Sequence, residues 1–501
     1  MPAPAPRFSL ILCPYRRMAT SLRLLPALLA VALVGCSAAA LPDLKPPVPS
    51  AWRNAQASSV AAPAADLHDW WHAFHDPQLN ALVDRALQGN LDLAQAAERV
   101  RAARLLNRHS HDDYLPKLNA DTNDVINPDT TASYFIVGFD ALWELPLFGV
   151  WQNSGRIAKG NLDAADADLH GARVSLVAEV ARRWIELRSA QRQAQLLDDA
   201  CQARREKLRL LKVREQLKLV SPDDVAAATA DVARAEAALT GPQQAINANA
   251  QQLAVLLGQN EPDPQWLQPG GVQPELGHWQ LTSVPADLLR TQPQIARAEA
   301  DVLRAAGEAG ISHADIYPHL GIGTSLQWSI NIARNHRART GEGIFSLGPV
   351  INVPLFDWGQ RVARAHAKDH ELRAAVLAYR QAVLQGVAEV ETDLGDLHQL
   401  HLREAATKRA VQALDSRTVA VRKRKQLGLG STLQVQDSLI EQRQAQAELV
   451  SARTARDLAY VALYKALGGA PLPKADQPTG AAADHDAAAP QPAMPSVQGT
   501  P

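Results

Sequence analysis

Aromatic residues are scarce in this chain, at 5% of 501 positions, and only 3 cysteines and 3 methionines occur. A chain of this length ordinarily divides into about two to four compact domains with aromatic-rich cores. Here the 47% apolar share is carried largely by Ala with scattered Leu and Val, which favours long, closely packed helices. An excess of either charge is also lacking. The 51 Lys+Arg and 52 Asp+Glu leave a net charge of -1, which excludes a nucleic-acid binder held by bulk charge. A charged share of 21% argues against wholesale disorder and against a polytopic helical membrane protein. No G-x-S-x-G, Walker-type or H-E-x-x-H motif is present, and Gly321-Ile322-Gly323 lacks the rest of a dinucleotide fingerprint. The sequence therefore offers no catalytic constellation and calls for no cofactor or metal. An enzyme is not expected.

An apolar run from Leu22 to Val34 behind Arg16, Arg17 and Arg23 reads as a secretory signal, too short to span a membrane. Translation from Met18 gives this leader an ordinary length, so the start, at Met1 or Met18, stays open. Leu33-Val34-Gly35-Cys36 resembles the bacterial lipobox, whose Cys is diacylated, freed by cleavage and acylated again. A covalent lipid on Cys36 is the expectation. Losing the leader removes Cys13 and leaves Cys36 and Cys201, which excludes a disulfide framework. Cys201, in a helical Ala/Leu/Arg context, reads as a small buried apolar residue. By analogy with bacterial lipoproteins, Ser37 after Cys36 favours the outer membrane. Pro42, Pro46, Pro47 and Pro49 then mark an extended tether.

The chain is nearly doubled. Tyr114-Leu115-Pro116 returns as Ile316-Tyr317-Pro318, and Leu145-Pro146-Leu147-Phe148 before Gly149 returns as Val353-Pro354-Leu355-Phe356 before Gly359. Gln216 to Ser221 returns as Gln426 to Ser431, and Leu256-Leu257-Gly258 returns as Ala466-Leu467-Gly468. The offset far exceeds the roughly 20 to 50 residues of solenoid repeats, so a domain-sized unit is duplicated. Leu372, Val376, Tyr379, Val383, Val387, Val390, Leu394 and Leu397 form an a/d seam. Leu162, Leu169, Leu176, Val180, Trp184 and Leu187 do the same in the first half. A helix from about Ser154 to Lys218 is predicted to run roughly 100 Å, longer than a bilayer is thick.

Between the helices the period changes to two. Phe135, Val137, Phe139, Ala141 and Trp143 alternate with Ile136, Gly138, Asp140, Leu142 and Glu144. Leu320, Ile322, Thr324, Leu326 and Trp328 form a second such face, and Phe345, Leu347, Pro349, Ile351 and Val353 a third. This is the pattern of a transmembrane barrel strand, and also of a half-buried strand in a soluble sheet. Four strands cannot close a barrel, so a membrane reading demands oligomerisation. The first strand region, Lys117 to Asp124, is so polar that either the strand is short or the rim is weak.

Together these residues resemble the outer membrane efflux protein family, the TolC-type channels, and its lipoprotein branch serving resistance-nodulation-division pumps. The resemblance is carried by the lipobox, Trp70-Trp71-His72-Ala73-Phe74-His75-Asp76-Pro77 with Leu79-Asn80 and Leu82-Val83, and Asn90-Leu91-Asp92-Leu93. Trp143 to Gly149 and Gly348-Pro349 leading to Pro354-Leu355-Phe356-Asp357 complete it. It implies a mainly α fold with a small membrane β region. Three copies would pool four strands each into a 12-stranded barrel, and their long helical hairpins would form a periplasmic tunnel. The membrane-facing strand residues would be Phe135, Val137, Phe139, Trp143, Ile322, Leu326, Trp328, Phe345 and Leu347. Expected partners are a periplasmic adaptor, an inner membrane pump and outer membrane lipids. The predicted organisation is a signal peptide (1–35), a tether (36–66), a first repeat (67–258), a connecting segment (259–285), a second repeat (286–471) and an Ala/Pro-rich tail (472–501).

The helices turn back at Leu219-Val220-Ser221-Pro222 and Leu429-Gly430-Ser431-Thr432. Ser221 and Ser431 suit helix caps, Pro222 suits a first helical position, and Gly430 suits a helix end. The resemblance implies that the tips, with Arg214, Leu219, Val220, Ser221, Arg424, Gly428, Leu429, Gly430 and Ser431, meet the adaptor. It also implies an axial gate at Asp437, with Gln434 one turn earlier. Three Asp437 carboxylates brought together would repel and favour a bound cation. His68, His72, His75 and Asp76 have helical spacing for a metal, but Trp70, Trp71 and Phe74 better explain that segment as a packed approach to the first helix. The functional expectation is a passive exit duct for a drug efflux system. The alternatives are a duct for protein secretion or metal export and, from another class, a soluble periplasmic coiled-coil scaffold.

Overall fold

A computed structural model describes residues 41–44, 48–54, 67–125, 134–277, 285–331 and 343–471. The leader, Cys36 and the Ala/Pro-rich tail lie outside the described residues. The first half contains α1 (Pro77–Gly89), α2 (Leu91–Arg108), β1 (Lys117–Val125), β2 (Tyr134–Glu144), α3 (Val150–Gln216) and α4 (Pro222–Leu256). The second contains α5 (Pro293–Ala314), β3 (His319–Asn331), β4 (Ile344–Asn352), α6 (Gln360–Gln426) and α7 (Thr432–Ala466).

The duplication is geometric as well as sequential. Helices α3 and α6 each have 67 residues, and α4 and α7 each have 35. Both long helices start behind a left-handed glycine, Gly149 (φ 81°) and Gly359 (φ 78°), itself preceded by a left-handed aromatic, Phe148 (φ 54°) and Trp358 (φ 58°). At 1.5 Å per residue these helices reach about 100 Å. Among the described residues no helix is long and apolar enough to cross a membrane.

Heptad spacing dictates how the helices associate. In α6, Tyr379, Val383, Val390, Leu394 and Leu397 are buried, while Leu372, Val376 and Val387 pack at the edge of the same core. In α3, Leu176, Val180, Trp184 and Leu187 are buried in the same cluster. Several of the chain's few aromatics gather here. Trp70 stacks on Tyr464 at 5.6 Å between centroids, and Phe74 meets Tyr460 edge-on at 5.5 Å. These contacts tie the segment before α1 to the end of α7 and so join the two halves. Asp76 caps α1 through Gln78 N–H (2.8 Å) and accepts from Trp184 Nε1 (2.7 Å), and His68 lies 2.9 Å from Ala470 O. The segment is a packed approach to α1, and no metal-holding cluster is found among the described residues. Cys201 is fully buried on α3.

Farther along α7 lies a buried carboxyl group. Asp457 is fully buried and accepts from Arg456 Nη2 at 2.6 Å, while Arg453 and Arg456 both donate to Glu404. Its Oδ2 has no partner among the described residues, and burial raises its pKa to about 7.

Candidate functional site: a two-faced sheet and two hairpin tips

The four strands form one antiparallel sheet in the order β1-β2-β3-β4. Opposed residues share a face, so register decides whether the separate apolar stripes coincide. They do. Phe139 opposes Leu326, which opposes Phe345; Val137 opposes Trp328; Trp143 opposes Ile322; and Thr324 opposes Leu347. Phe139 and Trp328 meet edge-on at 6.4 Å. Phe135, opposite Ile330, lies on the same face.

The register also corrects the reading of β1. This strand has 9 residues, each paired with β2, so it is not short. Leu118 faces Ala141, Ala120 faces Phe139 and Thr122 faces Val137, which continues the apolar stripe. Asn119, Asp121 and Asn123 fall with Asp140, Ser325, Gln327 and Ser346 on the other face. The polarity of β1 belongs to the polar side of the sheet. Both outer strands, β1 and β4, present unpaired backbone on one side.

At the opposite ends of the long helices the chain makes two turns with the same hydrogen-bond pattern. Leu219 N–H donates to Arg214 O (2.8 Å) and Leu429 N–H to Arg424 O (2.9 Å), the long bond of a Schellman ending. The left-handed residue is Lys218 (φ 57°) in the first tip and Gly428 (φ 75°) in the second. Gly428, not Gly430, therefore ends α6. Glycine is favoured where the backbone turns left-handed, and that residue is one step past the cap, Leu427. The serines cap as their positions predict. Ser221 Oγ accepts from Asp224 N–H (3.2 Å) while Asp224 accepts from Ser221 N–H (3.0 Å), and Pro222 opens α4. The Ser221 hydroxyl and backbone N–H hold the Asp224 carboxyl below the usual carboxylate range. Ser431 and Gln434 form the matching pair, at 3.2 and 3.1 Å. The Gln434 side chain is therefore engaged in capping α7. Leu217, Leu219, Leu427 and Leu429 stand exposed around the tips.

Asp437 lies just beyond, on α7, with Lys207 Nζ of α3 2.7 Å from its Oδ1. This partner, 230 residues away in sequence, carries no motif that identifies it. It offsets the Asp437 charge. Arg443 of α7 and Asp199 of α3 form a second bridge at 3.2 Å. Within the second hairpin, Thr418 of α6 donates to Ser438 O of α7 at 3.2 Å, with both side chains buried. Helix α7 is thus tethered to α3 by the two ion pairs and, farther along, by hydrogen bonds from Gln193 to Ser451 (3.0 Å) and from Thr454 to Ser189 (2.7 Å).

The model of a family described as outer membrane efflux protein matches residues 82–259 and 284–469. The chain belongs to the outer membrane efflux protein family. It is 30% identical over 477 residues to the pyoverdine export outer membrane protein OpmQ of Pseudomonas aeruginosa, covering 90% of this chain and 96% of that one. It is 27% identical over 471 residues to the cation efflux system protein CusC of Escherichia coli, covering 89% and 98%. Among solved structures, the outer-membrane channel OprN aligns with a TM-score of 0.71 at 27% identity, over 86% of this chain and 99% of that one. As a member of this family the chain is an outer membrane channel protein of efflux or secretion systems and not an enzyme. The mainly helical fold with long helices and a small sheet is that of the family.

Proposed function

We propose that three copies of this chain, each anchored by a lipid on Cys36, form the outer membrane exit duct of a tripartite exporter of small toxic compounds. The sheet carries the reading. One side is largely apolar, the other carries most of the sheet's Asn, Asp, Ser and Gln residues beside Ile136, Leu142 and Val350, and among the described residues each outer strand lacks a neighbour. In lipid an unpaired strand edge costs several kcal/mol per group, so the sheet is stable there only when copies close it. Three copies give 12 strands, within the range of outer membrane barrels. The apolar face turns to lipid and the polar face lines water. The helices continue that lumen for about 100 Å.

The duplicated repeats, 67–258 and 286–471, each supply one hairpin to the tunnel. The exposed tip leucines, with Arg214, Val220, Ser221, Arg424, Gly428, Gly430 and Ser431, form the docking rim for a periplasmic adaptor, which couples the duct to an inner membrane pump. Asp437 forms the gate, held to α3 by Lys207, and release of that bridge frees α7 to move outward. Relatives named for pyoverdine export and for cation efflux match 90% and 89% of this chain, which favours substrate choice in the pump. Conductance of the purified protein in planar bilayers tests the reading. Discrete channels are expected, with larger conductance for Asp437→Ala and Lys207→Ala. A protein that never conducts overturns the duct, and unchanged conductance in both variants removes the gate from Asp437.

A further inference from the structure

The two hairpin tips share a hydrogen-bond pattern and an apolar surface, and they differ in charge. Leu217 and Leu219 are 63% and 61% exposed in the first tip, and Leu427 and Leu429 are 66% and 67% exposed in the second. Over the aligned windows 212–224 and 422–434 the first tip sets Lys212, Arg214 and Lys218 against Glu215, Asp223 and Asp224. It carries no net charge. The second has Arg422, Lys423, Arg424 and Lys425 in succession and no acidic residue.

Folding does not account for this difference. Cations at a helix C-terminus suit the helix dipole, yet α3 ends at the equivalent residue with Glu215 in its last turn. Nor does the cap require it. Asp224 and Gln434 hold the same place in the two capping boxes, so the second tip keeps its cap with a neutral side chain. Like charges one turn apart, as Arg422 and Lys425 are, repel, which makes the run a cost to the free hairpin. All four side chains are exposed, and none lies within ion-pair distance of a carboxylate among the described residues. Arg209, at 2.7 Å, holds the Glu206 carboxyl of α3 below its usual range, and Lys425 adds a weaker pull from farther off. Successive helix residues point about 100° apart, so four in a row surround the end of α6 and meet a partner from any side.

We infer that the adaptor surface seated on the tips carries a surplus of Asp and Glu beside its apolar side chains, and that it binds the second tip in preference to the first. The inference rests on the reading of the tips as a docking rim and names the chemistry of the partner. The leucines, alike in both tips, supply contact without choosing between them. The cations choose. Opposite charge also speeds the encounter at low salt, so the second tip recruits first. In a ring of copies, recruiting and following tips alternate.

The test uses the full chain in living cells, with photoreactive p-benzoylphenylalanine replacing Leu429 or, separately, Leu219. Adducts are mapped by mass spectrometry. At Leu429 the captured adaptor peptide is expected to hold more Asp and Glu than Lys and Arg. Lys423→Glu combined with Lys425→Glu should lower that adduct about fivefold or more at unchanged channel abundance, while Lys423→Arg with Lys425→Arg keeps it. Lys212→Glu combined with Lys218→Glu should change the adduct at Leu219 by less than about twofold. Adaptor adducts at Leu429 that survive the reversal, or that map to a peptide without an acidic surplus, overturn the charge recognition and leave the docking rim standing. Equal losses at the two tips overturn the preference. No adaptor adduct at either tip overturns the rim as well.

Discussion

The turn after β2 and the turn after β4 both end in a left-handed aromatic followed by a left-handed glycine, yet Leu145 to Phe148 are half-buried while Leu355, Phe356 and Trp358 are exposed. The first turn finds its cover in the second repeat, and the second finds none in its own chain. Sequence duplication alone would make the two halves equivalent. What separates them is position, since one repeat lies between strands of its own chain and the other at the end of the row. Exposed apolar surface in the isolated chain thus marks where assembly, not folding, supplies the contact.

The largest effect is expected from breaking this pair of turns separately. Trp358→Asp should abolish multimers on native gels while leaving helical content intact, because nothing in its own chain covers Trp358. Phe148→Asp should instead lower the folded yield of the chain itself, since it disrupts the stack on Tyr317. Equal behaviour of the two would erase the distinction.

Next come the tips, where the repeats differ at single positions. Gly430→Trp should abolish export in a drug-susceptibility assay at unchanged abundance, because its bulk falls on the docking rim. The left-handed site sharpens the comparison at smaller scale. Gly428→Lys should cost about 1 kcal/mol and Lys218→Gly should gain a similar amount, the difference between a side chain and none at positive φ. Urea unfolding of the two variants checks the opposite signs.

The repeats also differ at Asp457, whose aligned position in α4 is the uncharged Asn247. Its folded pKa of about 7 lies above the unfolded value, so the folded state retains a proton that the unfolded state has lost. Stability therefore falls as pH rises from about 4 to 7, and the penalty is complete above that. Asp457→Asn, which gives α7 the residue that α4 already carries, should raise the melting temperature relative to the parent most at pH 8 and hardly at all at pH 4. A gain independent of pH would show that this carboxylate does not titrate in the interval.

Much of this architecture was legible in the chain because its signals are local. Heptads set the long helices, Ser221 and Ser431 announced their caps, and alternation marked three strands. Two features escaped because they depend on register or on distant pairing. The polarity of Asn119, Asp121 and Asn123 looked like a defect until β2 placed all three on the polar face. Lys207 meets Asp437 only because α7 packs on α3, and nothing near either residue encodes that meeting. The choice of Gly428 over Gly430 turned on where the last helical turn stops, which spacing alone leaves one or two residues uncertain.

Native mass spectrometry of protein extracted from outer membranes in mild detergent tests the central claim most directly. A particle of three chains is the predicted result; a stable, folded single chain with both sheet edges open would contradict it.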